Sequence, residues 1–291
     1  MSTSIVKPRT LEDLGAPIPG PTALGGDWGR LWHLTWTLAV TDFRLKFFGS
    51  VLGYFWQLGR PLLLFGVVYL VFSKVLGVGS DLPNYPVALL LGIVIFQFFA
   101  ESTAASVRAV QARESLIRKV NFPRLAIPLS TVLTSCFNLV LNLIPVFFFL
   151  LLAGGRPRLS WLELPVVLVL VIVFALGLSM LLSALFVRYR DVEPIWDVVV
   201  QAFFYATPIL YSIQIVIDKA GIDVARLMML NPFATVIQQA RHAVVSPEYL
   251  SAGQIFGSPI YLLGPIGVAV FTFWLGWIVF QRGAPEMAEE L

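Results

Sequence analysis

The side chains able to do chemistry are few in this chain. Two histidines, His33 and His242, and a single cysteine, Cys136, offer no metal-ligand spacing and no disulfide framework. No G-x-x-x-x-G-K-[ST] segment occurs and no glycine is followed by lysine, so the chain has no phosphate-cradling loop of its own. H-E-x-x-H, G-x-S-x-G and DxD-type clusters are missing too. What remains is charge in two unusual settings. Glu101 and Asp197 interrupt apolar runs, and a basic, proline-containing joint, "ESLIRKVNFPRLAIPLS" (114–130), separates two of those runs. An ionisable group at membrane depth marks a functional candidate. Both carboxylates fall near the cytoplasmic boundary of their runs, so each reads either as a solvated or ion-paired boundary residue or as part of a pathway. A proton-driven pump is expected to show a chain of such groups near the midplane, and none is seen.

The elements that must position these residues are long and apolar. Of 291 residues 58% are hydrophobic and only 13% charged, with a mean hydropathy of +0.83, where a soluble domain averages about 25% charged. Runs approaching the ~20 residues needed to cross a bilayer recur. The reading is an all-α integral membrane protein with six spans, near 53–75, 86–107, 126–152, 162–187, 194–213 and 260–280, forming a permease domain over 51–282. Residues 1–26, rich in Pro and Gly without an apolar centre, are expected to be a disordered cytosolic tail, and 283–291 a second cytosolic tail. Residues 27–50 are too polar to span. Leu31, Leu34, Leu38, Phe43 and Phe47 recur at near-helical spacing beside Trp28, Trp32 and Trp36, which suits an amphipathic helix in the membrane interface. With both termini inside, fourteen Lys and Arg lie on the cytoplasmic side and six outside, the asymmetry expected of a cytoplasmic N-terminus.

Four stretches add detail. In the joint, Leu116, Ile117 and Val120 fall at helical spacings beside Arg118 and Lys119, so a short helix with an apolar face is expected. Phe122-Pro123 ends it, because the residue before proline avoids the helical region, and Arg124 follows. A rigid helix between two spans transmits a push to both. As a plain alternative, the joint's basic residues are a topology signal drawn to anionic lipid. "YRDV" with Arg188 (Arg188, Tyr189, Arg190, Asp191) reads as a solvated cytoplasmic turn or as a second contact on that side. Phe203, Phe204, Tyr205 and Tyr211 cluster around Pro208, a residue that removes a helix hydrogen bond and can kink a span. Their rings either pack or face a lumen, where an electron-rich face can stack on the C–H face of a sugar. Residues 214–259 are too broken, at Asn231-Pro232, to cross, and are expected to form two short re-entrant helices including Arg241 and returning to the outer surface.

"DFRLKFFGSVLGYFWQLGRPLL" (42–63), "RKVNFPRLAIPL" (118–129), "LFVRYRDVEPIWDVVVQAFFYATPILY" (185–211) and "LNPFATVIQQAR" (230–241), in that order, resemble the membrane subunit of type-2 ABC exporters, in the branch that moves O antigen, teichoic acid and related lipid-linked glycans. The resemblance covers about residues 27–282. It implies a homodimer, two copies of a separate cytosolic ATPase that holds ATP and Mg, no cofactor or metal in this chain, and a glycan path between the halves. It also implies that the joint docks in a groove of the ATPase, which assigns coupling to Leu116, Ile117, Arg118, Lys119, Phe122, Pro123 and Arg124. Two alternatives stand beside this transport reading. One is a type-2 exporter of a drug, lipid or other small hydrophobic cargo. The other is a membrane glycan-modifying enzyme, which should show an acidic or phosphate-binding cluster on a loop. Nucleic acid is not an expected partner.

Overall fold

Apolar runs in lipid have no water for their N–H and C=O groups, so they must bond internally, and a single chain segment does that only as a helix. The computed structural model describes residues 28–47, 53–79, 82–119 and 123–284, and every regular element among them is helical. In chain order these are α1 (Trp28–Phe47), α2 (Gly53–Val68), extended by a wider turn over Tyr69–Val75, α3 (Tyr85–Val107), α4 (Glu114–Lys119), α5 (Ala126–Leu152), α6 (Glu163–Arg188), α7 (Val192–Ala206), α8 (Ile213–Ala220), α9 (Ile222–Met229), α10 (Pro232–Ala240), α11 (Ala252–Phe256) and α12 (Leu263–Gly283). Five of the described helical stretches are long and apolar enough to cross a membrane: Trp56–Val75, Tyr85–Val107, Ala126–Leu152, Leu159–Arg188 and Ile260–Gly283.

The expected span at 194–213 differs. Its helix, α7, stops at Ala206 after 15 residues, about 22 Å at 1.5 Å per residue, against a hydrocarbon core of ~30 Å. Thr207 is extended, with φ −98° and ψ 145°. Pro208 therefore does not kink a continuing helix; the helix has already ended. The outer segment also holds more pieces than the two expected. The break at Asn231-Pro232 is present between α9 and α10, where the Asn231 side chain accepts from the Phe233 N–H at 3.0 Å and proline occupies the first turn. Around it lie α8, α9, a wide turn at Arg241–Val245 and α11.

α3 is the hub. Leu89, Leu90, Leu91, Ile93, Val94 and Ile95 are all buried, and α2, α5, α6 and α7 pack on it. A helix apolar all round belongs in a core. Two helices meet most closely at α6 and α12. A Cβ on Gly276 would lie 2.0 Å from the Gly177 carbonyl oxygen, and one on Gly177 2.5 Å from the Phe273 nitrogen. Small residues at a crossing let backbones approach, the usual device where lipid supplies no hydrophobic drive. Between α3, α5 and α6, buried Ser102, Thr103, Ser106, Ser135, Asn138 and Ser179 form a polar seam. α1 lies against α5 through Leu31, Thr35 and Ala39, spaced by four, while Trp28, Trp32 and Trp36 remain exposed. The buried stripe is thus Leu31, Thr35 and Ala39, while Leu34 and Leu38 of the expected apolar face are only partly buried.

Candidate functional site

Two ends of the bundle concentrate the polar groups. One end, inner by the orientation expected from the basic residues, carries α1, α4 and the α6–α7 turn. Here α4 confirms a short helix before Pro123. Ile117 is buried with Leu31 of α1, Leu125 and Ala126 at the start of α5, Met180 of α6 and Phe280 of α12, so one side chain of α4 touches a cluster shared by four longer helices. The backbones of Leu116, Arg118 and Lys119 lie in α4, while Val120 and Phe122 fall outside the described residues. Pro123 is buried. Arg124 is only 2% exposed, and its Nη1 has no hydrogen-bond partner among the described residues. It is thus enclosed by the chain, unlike the surface cation that direct docking calls for. Arg188, Tyr189, Arg190 and Asp191 form an exposed turn, and no ion pair among the described residues joins them to one another.

Three ion pairs at this end were not foreseen. Asp42 pairs with Arg113, tying α1 to the turn before α4. Lys46 pairs with Glu101, whose Oε1 also accepts from Asn138 Nδ2 at 2.8 Å. Arg108 Nε donates to Glu193 Oε2 at 2.6 Å, tying the end of α3 to the start of α7. Glu101 is therefore ion-paired and also lines the cleft described next. Only the nearby oppositely charged side chains hinted at this, and their partners lie 55 to 85 residues apart.

Above these pairs a cleft of about 760 Å³ opens between α2, α3 and α7. One face of α3 lines it, with Ile93, Phe96, Gln97, Ala100, Glu101 and Ala104 recurring at spacings of three and four. Trp56, Gln57 and Arg60 come from α2, Asp197 from α7 and Lys46 from the end of α1. Asp197 is exposed and faces this cleft. The four aromatic candidates divide. Phe203 stacks on Phe99 with centroids 5.4 Å apart and touches Phe233, and Phe204 meets Phe96 edge-on at 4.9 Å. Both are packing groups in this chain. Tyr205 is 61% exposed. Tyr211 is half-buried, its hydroxyl 3.4 Å from the Tyr205 carbonyl at the end of α7.

At the outer end the non-helical stretch after α7 is held by two side chains. Arg241, 1% exposed, donates to the carbonyls of Pro208 at 2.7 Å, Ile209 at 2.6 Å and Tyr211 at 3.4 Å, and to Ala88 of α3 at 3.3 Å. Tyr85 donates to the remaining carbonyl, Leu210, at 2.6 Å. Four consecutive carbonyls thus find donors where helix bonds are missing, which lets irregular backbone be buried. Tyr249 closes the other side by donating to Pro83 at 3.1 Å; burial pushes its hydroxyl up to about 12, so it stays protonated and donating. Arg241 counts as one outer positive charge in the sequence, but in the fold it is a bracket.

Comparison with known proteins agrees with this architecture. The family model for the ABC-2 type transporter matches residues 33–245. The O-antigen export system permease protein RfbA of Klebsiella pneumoniae is 32% identical over 249 residues, 84% of this chain and 93% of that protein. A protein of the same name from Myxococcus xanthus is 28% identical over 88% of this chain and 94% of its own length. The polysialic acid transport protein KpsM of Escherichia coli is 22% identical over 74% and 82%. With more than half its length matched and a relative above 30% identity aligned nearly end to end, the chain belongs to the ABC-2 type transporter family, as a membrane-embedded transport subunit.

Proposed function

We propose that this chain is the transmembrane subunit of an ATP-driven exporter that carries a lipid-linked polysaccharide, of O-antigen, teichoic-acid or related type, across the cytoplasmic membrane. The observation that carries the reading is the near full-length likeness to relatives named for O-antigen export. Two copies of the chain pair around the path, and two copies of a cytosolic ATPase bind ATP and Mg, since this sequence lacks a phosphate-cradling loop. Both termini and the α3–α5 connection face the cytosol. The sixth crossing is completed by α7 together with the bracketed stretch at 207–211 that follows its 15 helical residues. The outer helices α8 to α11 dip into the outer leaflet beside it. ATP-driven motion enters at α4 and reaches the spans through Ile117, whose cluster joins α1, α5, α6 and α12. Tyr205, 61% exposed and meeting only the edge of Phe204 among the described residues, is the member of the aromatic group suited to face the path.

The test is deletion of the gene in its own host. The expected result is loss of a surface glycan with accumulation of the lipid-linked glycan inside, restored by the intact gene. An unchanged surface glycan in the deletion strain overturns the reading. Single-cysteine labelling in a Cys136→Ser background checks the orientation separately: residue 120 should react with an impermeant reagent only after the cells are opened.

A further inference from the structure

We propose that a slot between α2, α3 and α5, at the end of the bundle opposite α4, holds one acyl chain of an anionic phospholipid, with Lys74 and Arg156 at its rim for the headgroup phosphate. The slot is separate from the cleft. None of its lining residues comes from α7, and Leu64 lines the cleft whereas its neighbour Phe65 lines the slot.

The walls ask for hydrocarbon. Phe65 of α2, Val87 and Leu90 of α3, and Phe149 and Leu152 of α5 enclose about 290 Å³, the share of roughly ten water molecules. All five residues lie in stretches long and apolar enough to cross a membrane, and Phe149 and Leu152 are 38% and 68% exposed, so the slot opens sideways at bilayer depth. A water there needs two to four polar partners, and these walls offer none. Left empty, the lining would forfeit its dispersion contacts on one side. An acyl chain supplies them. α2 gains most, because only 6% of Trp56–Val75 is buried inside the chain.

The rim is polar where the walls are not. Asn84, just before α3, lines the slot and its side chain makes no hydrogen bond among the described residues, so its amide is free to donate to ester or phosphate oxygens. On the α2 side, the wider turn over Tyr69–Val75 bonds residues five apart and sets Lys74 Nζ 5.8 Å from the centre of the Tyr69 ring, which itself stacks on Phe65 at 5.7 Å. A column of rings thus links the wall to an ammonium. On the α5 side, Ala153 lines the slot, and the turn after it returns the Gly155 N–H to the Leu150 carbonyl at 2.9 Å. Arg156 leaves that turn exposed. Neither Lys74 nor Arg156 has a carboxylate partner among the described residues. Basic groups beside a pocket between spans attract anionic headgroups, and here they stand over an apolar slot. A lipid with a negative phosphate and a narrow tail matches both halves of the site.

Native mass spectrometry of the intact complex in detergent tests the proposal. Palmitoyl-oleoyl phosphatidylglycerol should be retained at one copy per subunit, and phosphatidylcholine with the same chains should be held far less. Lys74→Ala and Arg156→Ala should each weaken retention about fivefold, and together about 25-fold, the effect of losing the attraction of one and of two basic residues. Both positions are exposed, so subunit yield should not change, and Lys74→Arg should keep the lipid. Ala153→Trp, at an exposed position on the rim, should block the slot and abolish retention with both cations in place. Equal retention of the two phospholipids, or undiminished retention in the double variant, overturns the headgroup assignment and the proposal with it. Full retention in Ala153→Trp, or displacement of the lipid by an equal concentration of inorganic phosphate, shows that no chain is seated and overturns it too. Preferential retention of a long-chain polyprenyl phosphate over phosphatidylglycerol would make the slot a cargo site and overturn the assignment to a resident phospholipid.

Discussion

The two ends of the bundle use cations in opposite ways. At the inner end, Lys46, Arg108 and Arg113 reach carboxylates on other elements, and every one of those pairs keeps at least one partner a quarter or more exposed to solvent. At the outer end, Arg241 has no carboxylate partner among the described residues and is 1% exposed, spending its donors on backbone carbonyls. Solvated pairs are weak and exchangeable, so elements tied by them can shift and re-pair. A buried guanidinium bonded to main chain has no such alternative, because each bond lost leaves an unpaired group in a low dielectric. The difference assigns movement to the inner end and rigidity to the outer bracket.

The hardest test of that contrast is Arg241→Met. The substitution keeps much of the side chain's volume but leaves the carbonyls of Pro208 and Ile209 without donors. Leaving a buried carbonyl without its donor costs about 1–3 kcal/mol for each group. The expected outcome is a collapse in the yield of folded subunit from the membrane and a large fall in melting temperature in detergent. Arg241→Lys should rescue little, since a single ammonium cannot fork across Ala88, Pro208 and Ile209 as a planar guanidinium does. A near-normal melting temperature in Arg241→Met would mean that the stretch at 207–211 is held by something else.

How much of this was legible beforehand follows from range. α3, α5, α6 and α12 announce themselves through long, predominantly apolar runs, and their observed ends lie within a few residues of the expected ones. The α4 helix was legible because Pro123 and the spacing of Leu116 and Ile117 are local signals. The early end of α7 had its signal in Pro208, because the residue before proline avoids the helical region and Thr207 is extended. What no local signal showed is the support beyond it, Arg241 some 34 residues away together with Tyr85 from the far side of the chain. The aromatic group misled for a related reason. Sequence placed Phe203 and Tyr205 in one patch, but neighbours two apart on a helix point in different directions, and only one of the two remains exposed. The cleft shows the same limit. Its α3 face is readable as a three-and-four repeat, whereas Trp56 and Asp197 reach it only because α2 and α7 pack there.

A smaller effect, confined to function, should appear at α4. Arg118→Glu with Lys119→Glu should detach or uncouple the ATPase while the membrane domain keeps its melting temperature. Ile117→Ala should behave differently. Ile117 is 6% exposed in the inner cluster, so its truncation removes buried contact and costs about 2–4 kcal/mol, while the ATPase still co-purifies. Co-purification, melting temperature and export measured together separate docking from transmission. Full assembly and full export in the doubly reversed variant would reduce the joint to a topology signal.

The smallest effect belongs to the ion pairs. Arg108 and Glu193 meet at 2.6 Å, yet Arg108 is 67% exposed. Coulomb attraction in water is offset there by the entropy of holding a long side chain, so exposed pairs contribute about 0.2–1 kcal/mol. Arg108→Ala and Glu193→Ala should therefore each shift the melting temperature only slightly, and the double variant should differ from their sum by no more than that amount. Raising the salt to 0.5 M should erase most of even this difference, because screening at that strength acts over a few ångströms. Export is the more sensitive readout. The pair bridges the end of α3 to the start of α7, two walls of the cleft, so exchanging the charges with Arg108→Glu and Glu193→Arg should restore whatever transport either single reversal removes. A coupling energy approaching that of the Arg241 bracket would instead make the inner end as rigid as the outer one, and the division of labour between the two ends would fail.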